Sequence, residues 1–347
     1  MRTFRLANVT SAMMVGAAAL AAALALPATA AAQTVFKMSS QWNENTVSSE
    51  ADRWWASEID RRTAGQLKVK LYYAGALAKA AENLQLIRSG GVELVNMSAS
   101  YFGAELLLFT APNSIPMAMA EVPQASQLMR RLMTEVPALD AEAERNGVKA
   151  LYFHNLNPYL LVCRDPVSGL KDMRGKKIRT WGSDMPKMVQ AAGGVPVTLG
   201  LTELYEGLSR GTVDCIPFSV DLMVNYKIYE VAKHVYDVTL WLGPTSGVWI
   251  NRATWNGLPA TQQKVLQQVS FEAADKDRDL TLAAATTAVM KLKAEGVQFH
   301  SFPEADKKAW KAANPDFFAA FIEAQSKAGR GDAAKKMVSI WSDVVGN

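Results

Sequence analysis

The sequence holds little that could carry metal or covalent chemistry. Among its 347 residues are two cysteines, Cys163 and Cys215, and three histidines, His154, His234 and His300, none of them close together. A His/Cys zinc site needs ligands in clusters, so this scatter argues against one. No G-x-G-x-x-G, G-x-x-x-x-G-K or H-E-x-x-H occurs, so no cofactor or metal is expected. Charge of one sign is also scarce. The formal net charge is +4, and Arg2 and Arg5 at the extreme N-terminus supply two of those positives. The remaining balance is too weak to argue for nucleic acid or an anionic membrane surface. Beyond the first residues no apolar run approaches the ~20 residues that a membrane span needs.

What is present begins at the N-terminus. Arg2 and Arg5 precede an apolar run from Ala12 to Leu26, Pro27 breaks it, and Ala28 to Ala32 supply a small-residue end before Gln33. A positive start, an apolar core and an A-x-A end define a secretory signal peptide. Residues 1–32 are therefore expected to be removed near Ala32/Gln33, placing the rest outside the cytoplasmic membrane; the alternative is an uncleaved anchor. An oxidising compartment permits a Cys163–Cys215 bond, but spacing cannot decide between that and two buried thiols.

The rest of the chain is long enough for two domains. Val35–Ser39 reads as a strand, and Ser48 or Ser49 can cap a helix running to about Arg62. Leu67, Val69 and Leu71 alternate with lysines as in a half-buried strand. Strands at 92–97, 148–154, 159–163, 177–180, 195–197 and 213–216 alternate with helices, several closed by glycines. This alternation indicates α/β sheets with parallel strands. From Ala260 onward the pattern is almost wholly helical. Ligands of open α/β sheets sit beyond the carboxyl ends of strands. That rule directs attention to Trp42–Asn43, Ser98–Tyr101, Arg179–Trp181 and Phe218–Asp221.

One catalytic pattern occurs, Gly207-Leu208-Ser209-Arg210-Gly211. A nucleophile elbow needs a strand before its serine and a helix after it. Here a helical stripe precedes Ser209 and a strand follows, so a secreted hydrolase is the weaker reading. Carboxylate pairs such as Asp140/Glu142 and Glu203/Glu206 read as solvated helix faces.

The informative stretch is Gly169-Leu170-Lys171-Asp172-Met173-Arg174-Gly175-Lys176-Lys177-Ile178-Arg179-Thr180. It is followed by Thr202–Leu208, Gly211-Thr212-Val213-Asp214, Lys227–Lys233, and Val248–Asn251 ahead of Trp255–Pro259. In this order and spacing the blocks resemble the substrate-binding proteins of tripartite ATP-independent periplasmic (TRAP) transporters. The resemblance implies a two-lobed periplasmic binding protein fold, with open mixed sheets flanked by helices and a ligand cleft between lobes. It implies lobe I from residues 33–156 and 245–284, and lobe II from 157–244 and 285–347. It further implies a small-molecule carboxylate ligand, and small and large integral membrane subunits as partners; a signalling sensor could use the same lobes. The Arg of the Gly175-Lys176-Lys177-Ile178-Arg179 block, Arg179, is implied to hold the carboxylate. A planar guanidinium can do so with two parallel charge-assisted bonds.

Departures from the family's pattern concern the ligand's body. Tyr159 stands near the position of a second Arg, Ser98 near an acidic one, Tyr101 near a basic one, and Phe218 where an amide is common. With Trp42 and Trp181 they suggest an aromatic wall suited to a small apolar or aromatic monocarboxylate. Asn43 lies beside Trp42, and Ser219 or Asp221 is a candidate for a ligand hydroxyl. A buried acid could alternatively hold a metal ion beside the carboxylate, as in some family members.

Overall fold

The computed structural model describes Met1 and residues 33–346; the expected signal peptide lies outside the described residues. The chain forms two sheets. The first is built from β1 (Thr34–Ser40), β2 (Leu67–Tyr72), β3 (Leu94–Met97), β4 (Val148–Asn155) and β10 (Pro244–Asn251), in the order β2-β1-β3-β10-β4. The second contains β5 (Tyr159–Cys163), β6 (Lys177–Thr180), β7 (Val195–Thr198), β8 (Cys215–Phe218), β9 (His234–Trp241) and β11 (Gln298–His300), in the order β11-β9-β5-β8-β6-β7.

The sheets are mixed, where alternation alone indicated parallel strands. β1 runs parallel to β2 and β3, but β10 is antiparallel to β3 and β4. β5 is antiparallel to both β8 and β9. The cause is the path of the chain. It leaves the first sheet after β4 and re-enters it from β9 through Leu242 and Gly243, so β10 arrives against the grain. The crossing is tight: a Cβ on Gly243 would sit 2.7 Å from the Pro112 carbonyl oxygen.

Cys163 and Cys215 are register partners on antiparallel β5 and β8 and form a disulfide, with Cα atoms 4.1 Å apart. Strand pairing, which residue spacing does not reveal, decides between the two states left open above.

The helix Val47–Arg62 starts two to three residues earlier than a Ser48 or Ser49 cap implies. Thr46 is its cap, and its hydroxyl accepts from the Ser49 amide at 3.3 Å. The long helix Ala260–Ala294 extends about 52 Å at 1.5 Å per residue. Leu266, Val269, Ala273, Asp277, Thr281, Ala288 and Leu292 recur at helical spacing and form its buried stripe. That stripe packs on helix Val47–Arg62 and β4 of the first lobe, then on helix Val220–Asn225 of the second. The last helix, Gly331–Val345, buries Met337, Ile340 and Trp341 and packs on helix Val122–Glu135.

Candidate functional site

Arg179 is the third residue of β6, paired with Val197 of β7. Its side chain is only 2% exposed. Nε donates to the Leu199 carbonyl at 3.2 Å, and the guanidinium carbon lies 4.3 Å from the centre of the Trp181 ring. These contacts fix the plane of the fork. Among the described residues no salt bridge involves Arg179. Burial pushes its pKa down, and the charged or polar groups acting on it are the hydroxyls of Tyr101, Tyr159 and Tyr226, not carboxylates. A buried cation without a counter-charge costs several kcal/mol, roughly, by desolvation. The site keeps that cost while holding the cation rigid.

Arg179 belongs to a pocket of about 310 Å³, its mouth included. The second lobe contributes Tyr159 from the start of β5, Trp181 after β6, Leu201, and Trp241 at the end of β9. Their rings meet edge to face: Tyr159 and Trp241 at 5.1 Å, Tyr159 and Trp181 at 5.5 Å, Trp181 and Trp241 at 5.7 Å. Burial holds the Tyr159 hydroxyl well above the ordinary tyrosine range, although nearby Arg179 opposes this, so it stays protonated.

The first lobe contributes Gln41 and Trp42, just past β1, Ser98, Ser100 and Tyr101, just past β3, and Asn113 from helix Leu107–Ser114. Trp42 donates from Nε1 to Ser246 Oγ at 2.7 Å. Gln41 Oε1 accepts from the Ser98 amide at 3.2 Å. Asn113 Oδ1 accepts from the Ser100 amide at 3.3 Å and from the Ser98 hydroxyl, while its Nδ2 donates to the Pro244 carbonyl at 2.8 Å. The lobes meet beside the pocket. Gly182 has φ +59°, and a Cβ there would lie 3.1 Å from Ser114 Oγ and 3.7 Å from Ser100 Cβ. Both the left-handed backbone and the close approach require glycine.

Of the residues singled out from sequence, Arg179, Trp181, Trp42, Ser98, Tyr101 and Tyr159 line this pocket. Four do not. Phe218 is buried behind the wall, 5.7 Å from the Tyr159 ring. The Asn43 carbonyl is used by the Thr46 and Ser49 hydroxyls at 3.0 and 2.8 Å, where it anchors a helix start. Ser219 is fully buried at the head of helix Val220–Asn225. Asp221 accepts from Asn157 Nδ2 at 2.9 Å and lines a separate groove with Asn45, Glu50 and Lys291. Burial raises the Asp221 pKa.

Sequence reasoning passed over Gln41, Asn113, Leu201 and Trp241, and reached Ser100 only as part of the stretch Ser98–Tyr101. Trp241 was within reach: Val235, Tyr236, Val238 and Leu240 mark β9, and Trp241 stands at its carboxyl end. Asn113 was not, because its helix contains Pro112 and gave no clear helical signal.

A second buried ionic group lies in the first lobe. His154 Nδ1 is 2.8 Å from Asp277, and Nε2 is 3.1 Å from Asp52, all three fully buried. Asn96 Nδ2 donates to Asp52 at 2.7 Å, and the Tyr152 hydroxyl donates to the same carboxylate. Burial alone would lower the His154 pKa, but the two carboxylates outweigh it and raise it to about 10. The imidazolium thus ties β4 to both helix Val47–Arg62 and the long helix. Ser209 ends the helix Leu204–Ser209 on the exposed surface, ahead of β8.

Two sheets with a polar, ring-walled pocket between them form the architecture of a two-lobed solute receptor. Solved structures share it. An extracytoplasmic solute receptor of Bordetella pertussis binding pyroglutamic acid, DctP6, superposes with TM-score 0.80 at 18% identity, over 89% of this chain and 100% of that one. A TRAP periplasmic solute-binding protein from Sulfitobacter with bound β-D-galacturonate gives 0.76 at 19% identity, over 90% and 99%. The C4-dicarboxylate-binding periplasmic protein DctP of Rhodobacter capsulatus is 25% identical over 301 residues, 86% of this chain and 89% of its own. The 2,3-diketo-L-gulonate-binding periplasmic protein YiaO of Escherichia coli is 27% identical over 263 residues, 74% and 76% of the two chains. The family model for bacterial extracellular solute-binding protein, family 7, matches residues 38–325, and the chain belongs to that family. Among the described residues no helix is long and apolar enough to cross a membrane.

Proposed function

We propose that this protein is a periplasmic receptor that captures a small organic acid and delivers it to the small and large membrane subunits of a TRAP transporter. One observation carries the reading: Arg179 is buried, oriented by Leu199 and Trp181, and faces the inter-lobe pocket without a protein carboxylate. A ligand carboxylate supplies the missing charge, and with it two short parallel hydrogen bonds. The relatives and structural neighbours named above bind carboxylates, which supports the same reading.

Capture follows from the division of the pocket between lobes. Arg179, Tyr159, Trp181 and Trp241 form one half, and Gln41, Trp42, Ser98 and Tyr101 form the other. A ligand touching both halves favours the closed arrangement by its differential affinity for it. We assign the protein no catalytic role: Ser209 is surface-exposed at a helix end, and His154 is committed to Asp52 and Asp277.

The test is a thermal-shift screen of organic acids against the periplasmic chain. A ligand that binds only the folded state raises its melting temperature. The expected result is a shift with compact monocarboxylates that Arg179→Met abolishes. A shift that survives in Arg179→Met would overturn the anchor.

A further inference from the structure

The pocket makes a second chemical demand, visible in its tryptophans. Five buried indoles have acceptors: Trp42, itself in the lining, on Ser246, and outside it Trp55 on Ser270, Trp249 on Met97, Trp310 on Met188 and Trp341 on Ala118. Two buried indoles are given none among the described residues, Trp181 and Trp241, and both line the pocket. Trp241 is the sharper case. It is 1% exposed, and its Nε1–H is fully buried without an acceptor. An indole N–H can only donate, and a buried donor left unmatched costs ~1–3 kcal/mol.

The remaining lining offers hydroxyls, which both donate and accept, but no carboxylate to match this surplus of donors. None of its described residues is acidic. The Gln41 carbonyl oxygen is taken by the Ser98 amide, and Asn113 Oδ1 by Ser98 and Ser100. The arrangement is rich in donors and poor in acceptors. A ligand ammonium group would find the Arg179 charge and no carboxylate to pair with.

Resting on the carboxylate reading, we infer that the preferred ligand is a monocarboxylic acid with a second, neutral oxygen acceptor that takes the Trp241 Nε1–H, and without an ammonium group. Trp241 is then a specificity-determining residue, separating oxygenated acids from both their plain and their amino counterparts.

The test is isothermal titration of wild type, Trp241→Phe and Arg179→Met with two matched triads. One is 3-methyl-2-oxobutanoate, 3-methylbutanoate and valine; the other is phenylglyoxylate, phenylacetate and phenylglycine. In at least one triad, wild type is expected to bind the oxo acid about tenfold or more tighter than the plain acid, with no measurable binding of the amino acid. Trp241→Phe keeps an aromatic ring and removes the donor, so it should erase the preference for the oxo acid over the plain acid, whatever change the smaller ring makes to both affinities. Arg179→Met should weaken both acids. The inference fails if neither oxo acid binds, if an amino acid binds as well as its oxo partner, or if Trp241→Phe weakens oxo and plain acids alike. In each case, binding of plain acids that still depends on Arg179 leaves the carboxylate reading intact, whereas binding that ignores Arg179 removes that reading instead.

Discussion

The molecule contains two buried cations in opposite circumstances. His154, in the first lobe, lies between Asp52 and Asp277, and Asn96 and Tyr152 complete the shell around Asp52. Arg179, in the second, is just as thoroughly buried but is held by a carbonyl and the face of a ring. The first arrangement answers its own electrostatics and gains a fixed junction of strand and helices. The second leaves its electrostatics to be completed from outside. Burial alone therefore does not mark a binding group; burial without a counter-charge, at a pocket wall, is what singles out Arg179 as the proposed anchor.

The comparison breaks most visibly at His154. His154→Gln leaves two buried carboxylates without their cation and is expected to cost about 3–5 kcal/mol of stability. Denaturant melts check this, and ligand affinity should change little where the variant is folded. The pH dependence has a definite sign. The folded-state pKa is raised from 6.5 to about 10, so this contribution is complete below about pH 6.5 and is lost as pH rises through about 10. Wild-type stability should carry that alkaline slope and His154→Gln should lack it.

Arg179→Met should behave in the opposite way. Affinity for the captured acid is expected to fall about 100-fold or more, since each hydrogen bond between charged groups contributes ~1.5–3 kcal/mol. The ligand-free variant should melt no lower than wild type, because an uncompensated charge gives way to an apolar stem of similar bulk. A clear loss of ligand-free stability would mean that Arg179 is structural, like His154.

The smallest effect is expected between the two regions. Asn157, in the β4–β5 crossing, donates to Asp221 at 2.9 Å and to the Thr281 carbonyl at 2.8 Å, joining the long helix to the second lobe. Asn157→Ala should cost ~1–3 kcal/mol in stability. If it also alters affinity without touching the pocket, the crossing biases lobe closure; if affinity is unchanged, it serves packing alone.

How much of this was legible in the sequence depended on distance along the chain. Trp42, Ser98, Tyr101, Arg179 and Trp181 stand at or just past strand ends, so local pattern and one topological rule bring them to the pocket. Phe218 obeys the same rule but faces the core behind Tyr159, because a one-residue difference in a strand reverses the face. The disulfide depends on the β5–β8 register and could not be read from a separation of 52 residues. The His154 cluster was the least visible. Its members Asp52, Asn96, Tyr152 and Asp277 come from two helices and two strands, and only tertiary packing makes neighbours of them.

The account turns on where the ligand's negative charge sits. A crystal structure of the wild-type protein with the best acid from the thermal screen measures that position directly. The account predicts both carboxylate oxygens within about 2.7–2.9 Å of the Arg179 guanidinium nitrogens. A carboxylate bound elsewhere, with Arg179 paired to an acidic side chain of the protein, would contradict it.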